Sequence, residues 1–428
     1  MHLLNLDVQN LRSISHFRLD LTPQEAPGWH VVLGANGAGK SSVVRALAIA
    51  LIGPTNAVGL NQVWRDWQRQ GAGPATIGAL VRPDPGDLLS GGMQGHKDIN
   101  LSLTLAPREG SSDHLELIAK GPLDEAERSI WAKSENRGWF AASFGPFRRF
   151  TGGDLSYERL FFATPRLAGH LSAFNEAVAL TEGPRWLSSL RVSGIESGDG
   201  ASALLDAILH FINTTQLLPG DASIQEVRSD RVLIRDGNGA LVAIDVLSDG
   251  YRSILSMIFE LIRQLDVAFE TDKLIDALTQ GNGTIDLPGI VVIDEVDAHL
   301  HPDWQANIGA WFVRVFPRMQ FIVTTHSPIV CRNAKTIWWL PKPGSDDDFA
   351  RRLVGVEFAR LTKGSILDAF GTELFGRGVT RSPESGEMLS QLAELNRKAL
   401  KESLSVEEQT TMSSLRAALP SNSADLDA

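Results

Sequence analysis

The sequence predicts an α/β fold in which helices flank a mixed β-sheet, and three observations support this. GWHVVLG leads into a glycine-rich stretch at Gly34 and then into a helical pattern. The apolar run GIVVI ends directly on Asp294 and Glu295, which is typical of a strand buried on both faces, as in a parallel sheet. RVLIRDGNGALVAIDVL has two strand patterns around a turn rich in Asp, Gly and Asn, which indicates an antiparallel hairpin.

The remaining elements follow in chain order. HLLNLDVQ, HFRLDL, ATIGALVRP and INLSLTLA are strand patterns, as are QFIVTTH and KTIWWLPKP further along. SSVVRALAIALIG has the apolar spacing of a helix that stops at Gly53. Helical patterns also run from about Tyr157 to Ile212, from Tyr251 to about Phe269, and onward from Pro302.

Composition limits the class of protein. The net charge of −11 over 428 residues argues against a broad basic surface for nucleic acid, although it allows a local basic groove. Cys331 is the single cysteine, which excludes an internal disulfide framework and leads us to expect a reducing, cytoplasmic location. The N-terminus lacks a signal-peptide pattern, and we expect no membrane span because no apolar run approaches the roughly 20 residues that a membrane helix needs.

GANGAGKSS matches the pattern G-x-x-x-x-G-K-[ST] and lies between a predicted strand and a predicted helix. Glycines let the backbone wrap a phosphate with its N–H groups pointing inward, and the helix N-terminus adds the positive end of its dipole. We therefore predict that Lys40 reaches the β- and γ-phosphates of a bound ligand and that Ser41 binds Mg²⁺. The predicted phosphate loop consists of Gly34, Ala35, Asn36, Gly37, Ala38, Gly39, Lys40, Ser41 and Ser42.

The two acids after GIVVI fit the same chemistry. In a P-loop protein, an acid at the end of a second buried strand holds the Mg²⁺, and Asp294 has that position. Glu295 can then orient and activate the attacking water as general base. A helix cap or a structural ion pair is the alternative explanation of this pair.

Three further segments bear on which P-loop family the chain resembles. LSDGYRS lies about 40 residues before the acids, VDAHLHP follows Glu295 directly, and His326 with Ser327 closes the strand QFIVTTH. In order and spacing, these segments and the two motifs above resemble the Walker A, signature, Walker B, D-loop and switch-histidine motifs of ABC-class ATPases. The resemblance implies that His326 contacts the γ-phosphate, although a lone histidine is more often structural.

Within that class the chain resembles the soluble SMC-like and RecF-like branch. VQNLRS is similar to a segment whose arginine, here Arg12, lies near the nucleotide. GPFRRF, LSDGYRS, IDEVDAHLHPDWQ and FPRMQFIVTTHSP resemble the bacterial AAA-family ATPases of the AbiEii-like or Septu-like kind, many of them in anti-phage systems. The resemblance implies a homodimer or higher oligomer with ATP at the interface, in which Ser248 and Gly250 face the partner's γ-phosphate. It also implies control of an effector such as a nuclease, or engagement of DNA.

The stretch between Ser41 and Leu247 is long and has no heptads. We therefore expect a compact helical lobe inserted at about 150–225, between the Walker A and signature motifs. The ATPase domain is expected to span 1–375, and the tail, 376–428, to form two helices joined near Ser403 to Ser405 before a disordered end. The tail could pack on its own domain or dock a partner chain.

Several alternatives stay open. The glutamine of a Q-loop has no clear position. Phe144 to Phe147 could form the equivalent turn, with Arg148 or Arg149 facing phosphate or a partner, or simply solvated. His299 and His301 have an H-x-H spacing that a turn explains better than a metal does. For the whole protein, the alternatives to a hydrolysing switch are a transporter's ATPase subunit, which the long insertion argues against, and a non-hydrolysing nucleotide-gated scaffold.

Overall fold

The computed structural model describes residues 1–89, 97–107, 115–120, 130–131, 138–148, 164–176, 178, 180, 182–197, 199–218, 222–344, 350–365, 369, 374 and 382–419. Two compact units are present, Met1–Phe358 and Ala359–Ala428. The predicted boundary between 375 and 376, the start of the inserted lobe at 150, Arg149, and the predicted disordered end lie outside the described residues. The domain limits therefore stay a prediction.

The described strands are β1 His2–Leu11, β2 Ile14–Asp20, β3 Gly28–Gly34, β4 Thr76–Arg82, β5 Ile99–Pro107, β6 Leu115–Ala119, β7 Ala141–Phe144, β8 Ser223–Val227, β9 Val232–Arg235, β10 Leu241–Ala243, β11 Gly289–Ile293, β12 Met319–Thr325, β13 Thr336–Leu340 and β14 Arg351–Arg352. The described α-helices are α1 Lys40–Ala57, α2 Pro165–Ala168, α3 Glu182–Ser197, α4 Asp199–Thr214, α5 Asp249–Ala268, α6 Thr271–Gln280, α7 Pro302–Val315, α8 Gly355–Lys363, α9 Pro383–Ala399 and α10 Val406–Ala418.

A six-stranded sheet with the order β14-β13-β3-β12-β11-β7 carries the predicted motifs. Its pairs are parallel except β13–β14, which confirms a mixed sheet. Every residue of β3, β11, β12 and β13 is buried. The continuous apolar run of β11 predicts this. Because β12 pairs in parallel with both β3 and β11, the carboxyl ends of all three strands meet at one edge of the sheet.

A second, antiparallel sheet has the order β2-β1-β4-β5-β6. Helix α1 contacts strands of both sheets, and apolar side chains from all three layers form one core cluster. The chain leaves helical geometry at Gly53, as predicted, before α1 resumes to Ala57. The segment Lys40–Leu60 is long and apolar enough to cross a membrane by composition, contrary to our expectation from the sequence, but 67% of that apolar window is buried inside the protein. Its apolar character is thus explained by its place in the core.

The region before the signature segment LSDGYRS contains helices and a small sheet. Helices α2, α3 and α4 lie within the predicted inserted lobe, and β8 begins near its end at Ser223. The predicted hairpin is confirmed, since β9 and β10 pair antiparallel within a three-stranded sheet. Helix α5 then begins at Asp249, close to the predicted start at Tyr251.

The second unit contains the predicted pair of tail helices, α9 and α10, which pack on each other. Helix α10 begins with a capping box, in which the Ser405 hydroxyl accepts from the Glu408 amide and the Glu408 carboxylate accepts from the Ser405 amide. Leu392 and Leu415 are buried. Leu400, which the predicted apolar stripe included, is 87% exposed because it caps the end of α9.

Candidate nucleotide-binding site

The phosphate loop Gly34–Ser42 connects the carboxyl end of β3 to the first turn of α1. Gly37 and Gly39 have φ values of 79° and 103°, in the left-handed region that favours glycine. A Cβ at Gly39 would lie 2.9 Å from both Ser13 Oγ and Ile14 Cγ1. Glycine at position 39 is therefore required by its backbone conformation and by the close approach of the β1–β2 turn.

Lys40 is buried at the base of the phosphate loop. Its Nζ donates to the carbonyl oxygens of Gly34 at 2.9 Å and Ala35 at 3.1 Å. An ammonium group has three donors, so within the described residues one donor and the positive charge remain available for an anion. Burial lowers the pKa of Lys40, while the negative charge of Glu295 and its neighbouring acids opposes that shift. The phosphate loop and the acid pair thus lie close enough to interact electrostatically.

Asp294 and Glu295 are both oriented by one hydroxyl group. Thr324 Oγ1, on the adjacent strand β12, donates to Asp294 Oδ1 at 2.5 Å and accepts from the Glu295 amide at 2.8 Å. Asp294 is buried, whereas Glu295 is half-buried and has φ of 45°, which is uncommon for a residue other than glycine. The arrangement keeps Asp294 fixed and presents the Glu295 side chain at the sheet edge.

The turn that follows, residues 294–300, is called the acidic turn below. Its Asp297 is 3% exposed and accepts from Thr325 Oγ1 at 2.5 Å. The other carboxylate oxygen of Asp297 lies 3.3 Å from His326 Nδ1, and His326 itself is 57% exposed. The predicted switch histidine therefore extends into solvent at the same sheet edge, with its ring oriented by a buried acid.

Arg148 is not the solvated residue that the sequence allowed. It is buried, and its guanidinium donates to the acidic turn and to helix α5. Thr324, Thr325 and Asp297 were also missed. The doubled threonine in an otherwise apolar strand just before His326 was the available signal, because a buried polar side chain needs a partner.

The signature segment approaches the acidic turn of its own chain at Gly250. Ser248 is the exposed N-cap of α5, and its side chain makes no capping hydrogen bond. A Cβ at Gly250 would lie 2.8 Å from the carbonyl oxygen of His299. The next residue, Tyr251, has its ring 5.4 Å from that of Trp304. Among the described contacts, none joins Ser248 or Gly250 to the phosphate loop.

Arg12 lies in the β1–β2 turn beside the phosphate loop. Its guanidinium stacks 4.0 Å above the ring of Trp67, and burial together with the nearby Arg45 lowers its pKa to about 10. A cleft of 220 Å³ opens beside this turn, between residues 13–16, Gly37 and residues 340–344. Arg12 is thus close to the loop by position, with its charge directed onto an aromatic ring.

The H-x-H pair has structural roles. His299 has φ of 65°, and its carbonyl oxygen lies against Gly250 at the start of helix α5. His301 caps α7 by accepting from the Asp303 amide at 3.3 Å. In the described part of the chain, no group of three His, Cys, Asp or Glu side chains is placed to hold a metal ion.

Two family models match separate parts of the chain. A model described as "AAA domain, putative AbiEii toxin, Type IV TA system" matches residues 147–332, which include the acids, the signature segment and His326. This part of the chain is similar to an AAA-type ATPase domain. A second model, described as "AAA domain", matches residues 5–72 and includes the phosphate loop. These matches confirm the predicted resemblance to AbiEii-like AAA-family proteins.

Three curated proteins are similar in sequence to parts of this chain. Retron Ec83 probable ATPase of Escherichia coli is 39% identical over 125 residues, 29% of this chain and 21% of that protein. Septu protein PtuA of Bacillus thuringiensis is 30% identical over 180 residues, which cover 41% of this chain and 43% of that protein. Septu protein PtuA of Bacillus mycoides (strain KBAB4) is 24% identical over 333 residues, which cover 76% of this chain and 38% of that protein. This chain spans less than half the length of these relatives.

Two solved structures match most of the length of this chain. One is the SmcHead bound to the C-winged helix domain of ScpA, with a TM-score of 0.47 and 14% identity, covering 84% of this chain and 99% of that one. The other is the recombination mediator protein RecF-ATPrS, with a TM-score of 0.44 and 12% identity, covering 82% of this chain and 98% of that one.

Proposed function

We propose that this protein binds Mg²⁺·ATP, dimerises around it and hydrolyses it, and that this cycle switches a partner effector on or off. The proposal rests on the lysine and the two carboxylates that meet at one edge of the six-stranded sheet. Within the described residues Lys40 retains one donor without a partner. A single hydroxyl, Thr324 Oγ1, orients both Asp294 and the backbone of Glu295. A buried cation beside two carboxylates with different exposure suits phosphate binding and general-base catalysis.

In this proposal each residue has a separate role. The amides of the phosphate loop and Lys40 bind the phosphates, and the half-buried carboxylate of Glu295 takes a proton from the attacking water. Ser41 and Asp294 supply the oxygen donors that Mg²⁺ prefers, and the bound ion would neutralise charge on the phosphates. His326 approaches the γ-phosphate with its ring held by Asp297. The Asp294 oxygen that does not accept from Thr324 is compatible with a metal ligand.

The dimer is proposed from the signature segment. Ser248 is exposed at the N-terminus of a 20-residue helix, and its hydroxyl makes no cap hydrogen bond there. A helix N-terminus favours a negative charge. With the resemblance to ABC-class ATPases, this supports a site in which Ser248 and Gly250 of one subunit face the γ-phosphate held by Lys40 of the other. Arg12 is proposed to act near the nucleotide.

The biological setting is proposed from the relatives. Two of them are named Septu protein PtuA and one is named a retron ATPase, and these names agree with an anti-phage role for the present chain. The effector is then a second chain, with a nuclease as the leading candidate and DNA as a further ligand to test. In either case ATP binding and hydrolysis would control when the effector acts, and the effector would carry out its own reaction.

Two substitutions test the ATPase. Glu295→Gln should retain ATP binding and slow hydrolysis by about 10²- to 10⁴-fold, the usual contribution of a positioned general base. Lys40→Ala should abolish tight ATP binding, since it removes the charge that meets the phosphates. Phosphate release and calorimetric ATP titration of both purified variants provide the comparison. Wild-type turnover in Glu295→Gln would assign the base to another residue, and absence of turnover in the wild type would favour the nucleotide-gated scaffold.

A further inference from the structure

The backbone of Glu295 is held at both ends by side chains. Its amide donates to Thr324 Oγ1 at 2.8 Å, and its carbonyl oxygen accepts from Arg148 Nη2 at 2.9 Å. Between these two bonds Glu295 has φ of 45°. Such a conformation is unfavourable for a residue with a Cβ and persists where the surroundings enforce it. The direction of the Glu295 side chain thus depends on Arg148 as well as on the sheet.

Arg148 uses all five donors of its guanidinium within the protein. Nη1 donates to the carbonyl oxygens of Gly145 at 3.1 Å and Asp294 at 2.9 Å. Nη2 donates to those of Glu295 at 2.9 Å and Val296 at 3.4 Å. Burial lowers the pKa of Arg148 to about 10, so the group remains charged at neutral pH. Its planar fork thus holds three successive carbonyl groups at the beginning of the acidic turn.

The fifth donor leads to another element. Arg148 Nε donates at 3.1 Å to the hydroxyl of Ser253, which is buried on helix α5 five positions after Ser248. The N-terminal turn of α5 also meets the far end of the acidic turn, where Gly250 faces the His299 carbonyl. Movement of the signature end of α5 would therefore be transmitted to the acidic turn through Arg148.

We propose that Arg148 is a positioning residue that couples the backbone of Glu295 to helix α5 through Ser253, so that the signature segment and the Glu295 carboxylate move together. The consequence for hydrolysis rests on the proposed function, whereas the mechanical link does not. The competing explanation is that Arg148 only satisfies buried carbonyl oxygens. In that case the bond to Ser253 would contribute to stability and to nothing else.

Ser253→Ala removes this one link, and the chain offers a matched control. Ser256 is buried one turn further along α5, where its hydroxyl donates to the Ser253 carbonyl at 3.0 Å. Among the described hydrogen bonds, none joins Ser256 to Arg148. Ser256→Ala therefore also loses a buried serine hydroxyl from the same helix. Ser253→Thr keeps a hydroxyl at the linking position and provides the rescue. The measurements are kcat and KM for ATP, the thermal midpoint, and hydrogen exchange of the amides in residues 294–300.

We expect Ser253→Ala to lower kcat by about 10- to 100-fold, the scale of a small misplacement of a catalytic group, with KM close to that of the wild type. Amides of residues 294–300 should exchange faster than in Ser256→Ala at a similar thermal midpoint, and Ser253→Thr should restore both properties. Equal kcat and equal exchange in the two alanine variants would overturn the coupling. If the wild type hydrolyses no ATP, the proposed function fails, and the exchange comparison alone still decides whether the link exists.

Discussion

Replacing Thr324 by valine tests the idea that one hydroxyl organises both acids. The two side chains have nearly the same shape, and Thr324 is fully buried on β12. The substitution therefore removes hydrogen bonds rather than packing. It deprives Asp294 Oδ1 of its donor at 2.5 Å and leaves the Glu295 amide without its acceptor at 2.8 Å.

The expected magnitude follows from these two bonds. A hydrogen bond to a charged group contributes about 1.5–3 kcal/mol, and a buried donor left unpaired costs about 1–3 kcal/mol. The free energy of unfolding of Thr324→Val should thus fall by about 2–5 kcal/mol, since the added methyl group offsets part of the loss. Because Glu295 also loses one of its two backbone restraints, we expect kcat for ATP to fall by about 10²-fold.

Thr324→Ser is the matched control, because it keeps the hydroxyl and loses a methyl group worth about 0.8 kcal/mol. Urea denaturation and steady-state ATP hydrolysis should be measured for both variants. The serine variant should be slightly less stable than the wild type but catalytically similar to it. If the valine and serine variants agreed in both measurements, the hydroxyl would have no role in positioning the acids.

Three further predictions use other parts of the site. His326→Ala should lower ATP turnover without changing the thermal midpoint, because the ring is 57% exposed; an effect on the midpoint alone would make it a structural residue. Ser248→Asp should be inactive by itself, since Asp is a favoured residue at a helix N-cap but places a negative charge opposite phosphate. Mixing it with Lys40→Ala should restore part of the ATPase rate in mixed dimers. Gly250 is unsuitable for that test because a side chain there would strike its own His299 carbonyl. Burial lowers the pKa of His30 to about 4 and of His170 to about 3. Below about pH 6.5 the unfolded chain therefore binds more protons than the folded chain, which favours unfolding. Between pH 7 and pH 5, each histidine should lower the free energy of unfolding by about 2 kcal/mol, as measured by urea titrations.

Features encoded by neighbouring residues were predictable from the sequence. The phosphate loop, the strand that ends on Asp294, the hairpin and the helix cap at Ser405 are each encoded by a short run of residues with a specific period or turn chemistry. The resemblance to AAA-family ATPases depends on the same short motifs, and the family matches confirm it. The residues assigned to catalysis and to Mg²⁺ stay predictions.

The tertiary structure decided which side chains support these motifs. Arg148 belongs to a basic pair that would ordinarily be solvated, yet it is buried because β7 lies beside β11 and brings its end to the carbonyl groups of the acidic turn. Thr324 reaches Asp294 only because β12 pairs with β11 in the observed register, in which Val323 is opposite Ile293. Contacts between residues 30 to 150 positions apart depend on strand order, and strand order is set by the burial of whole sheets rather than by any local pattern.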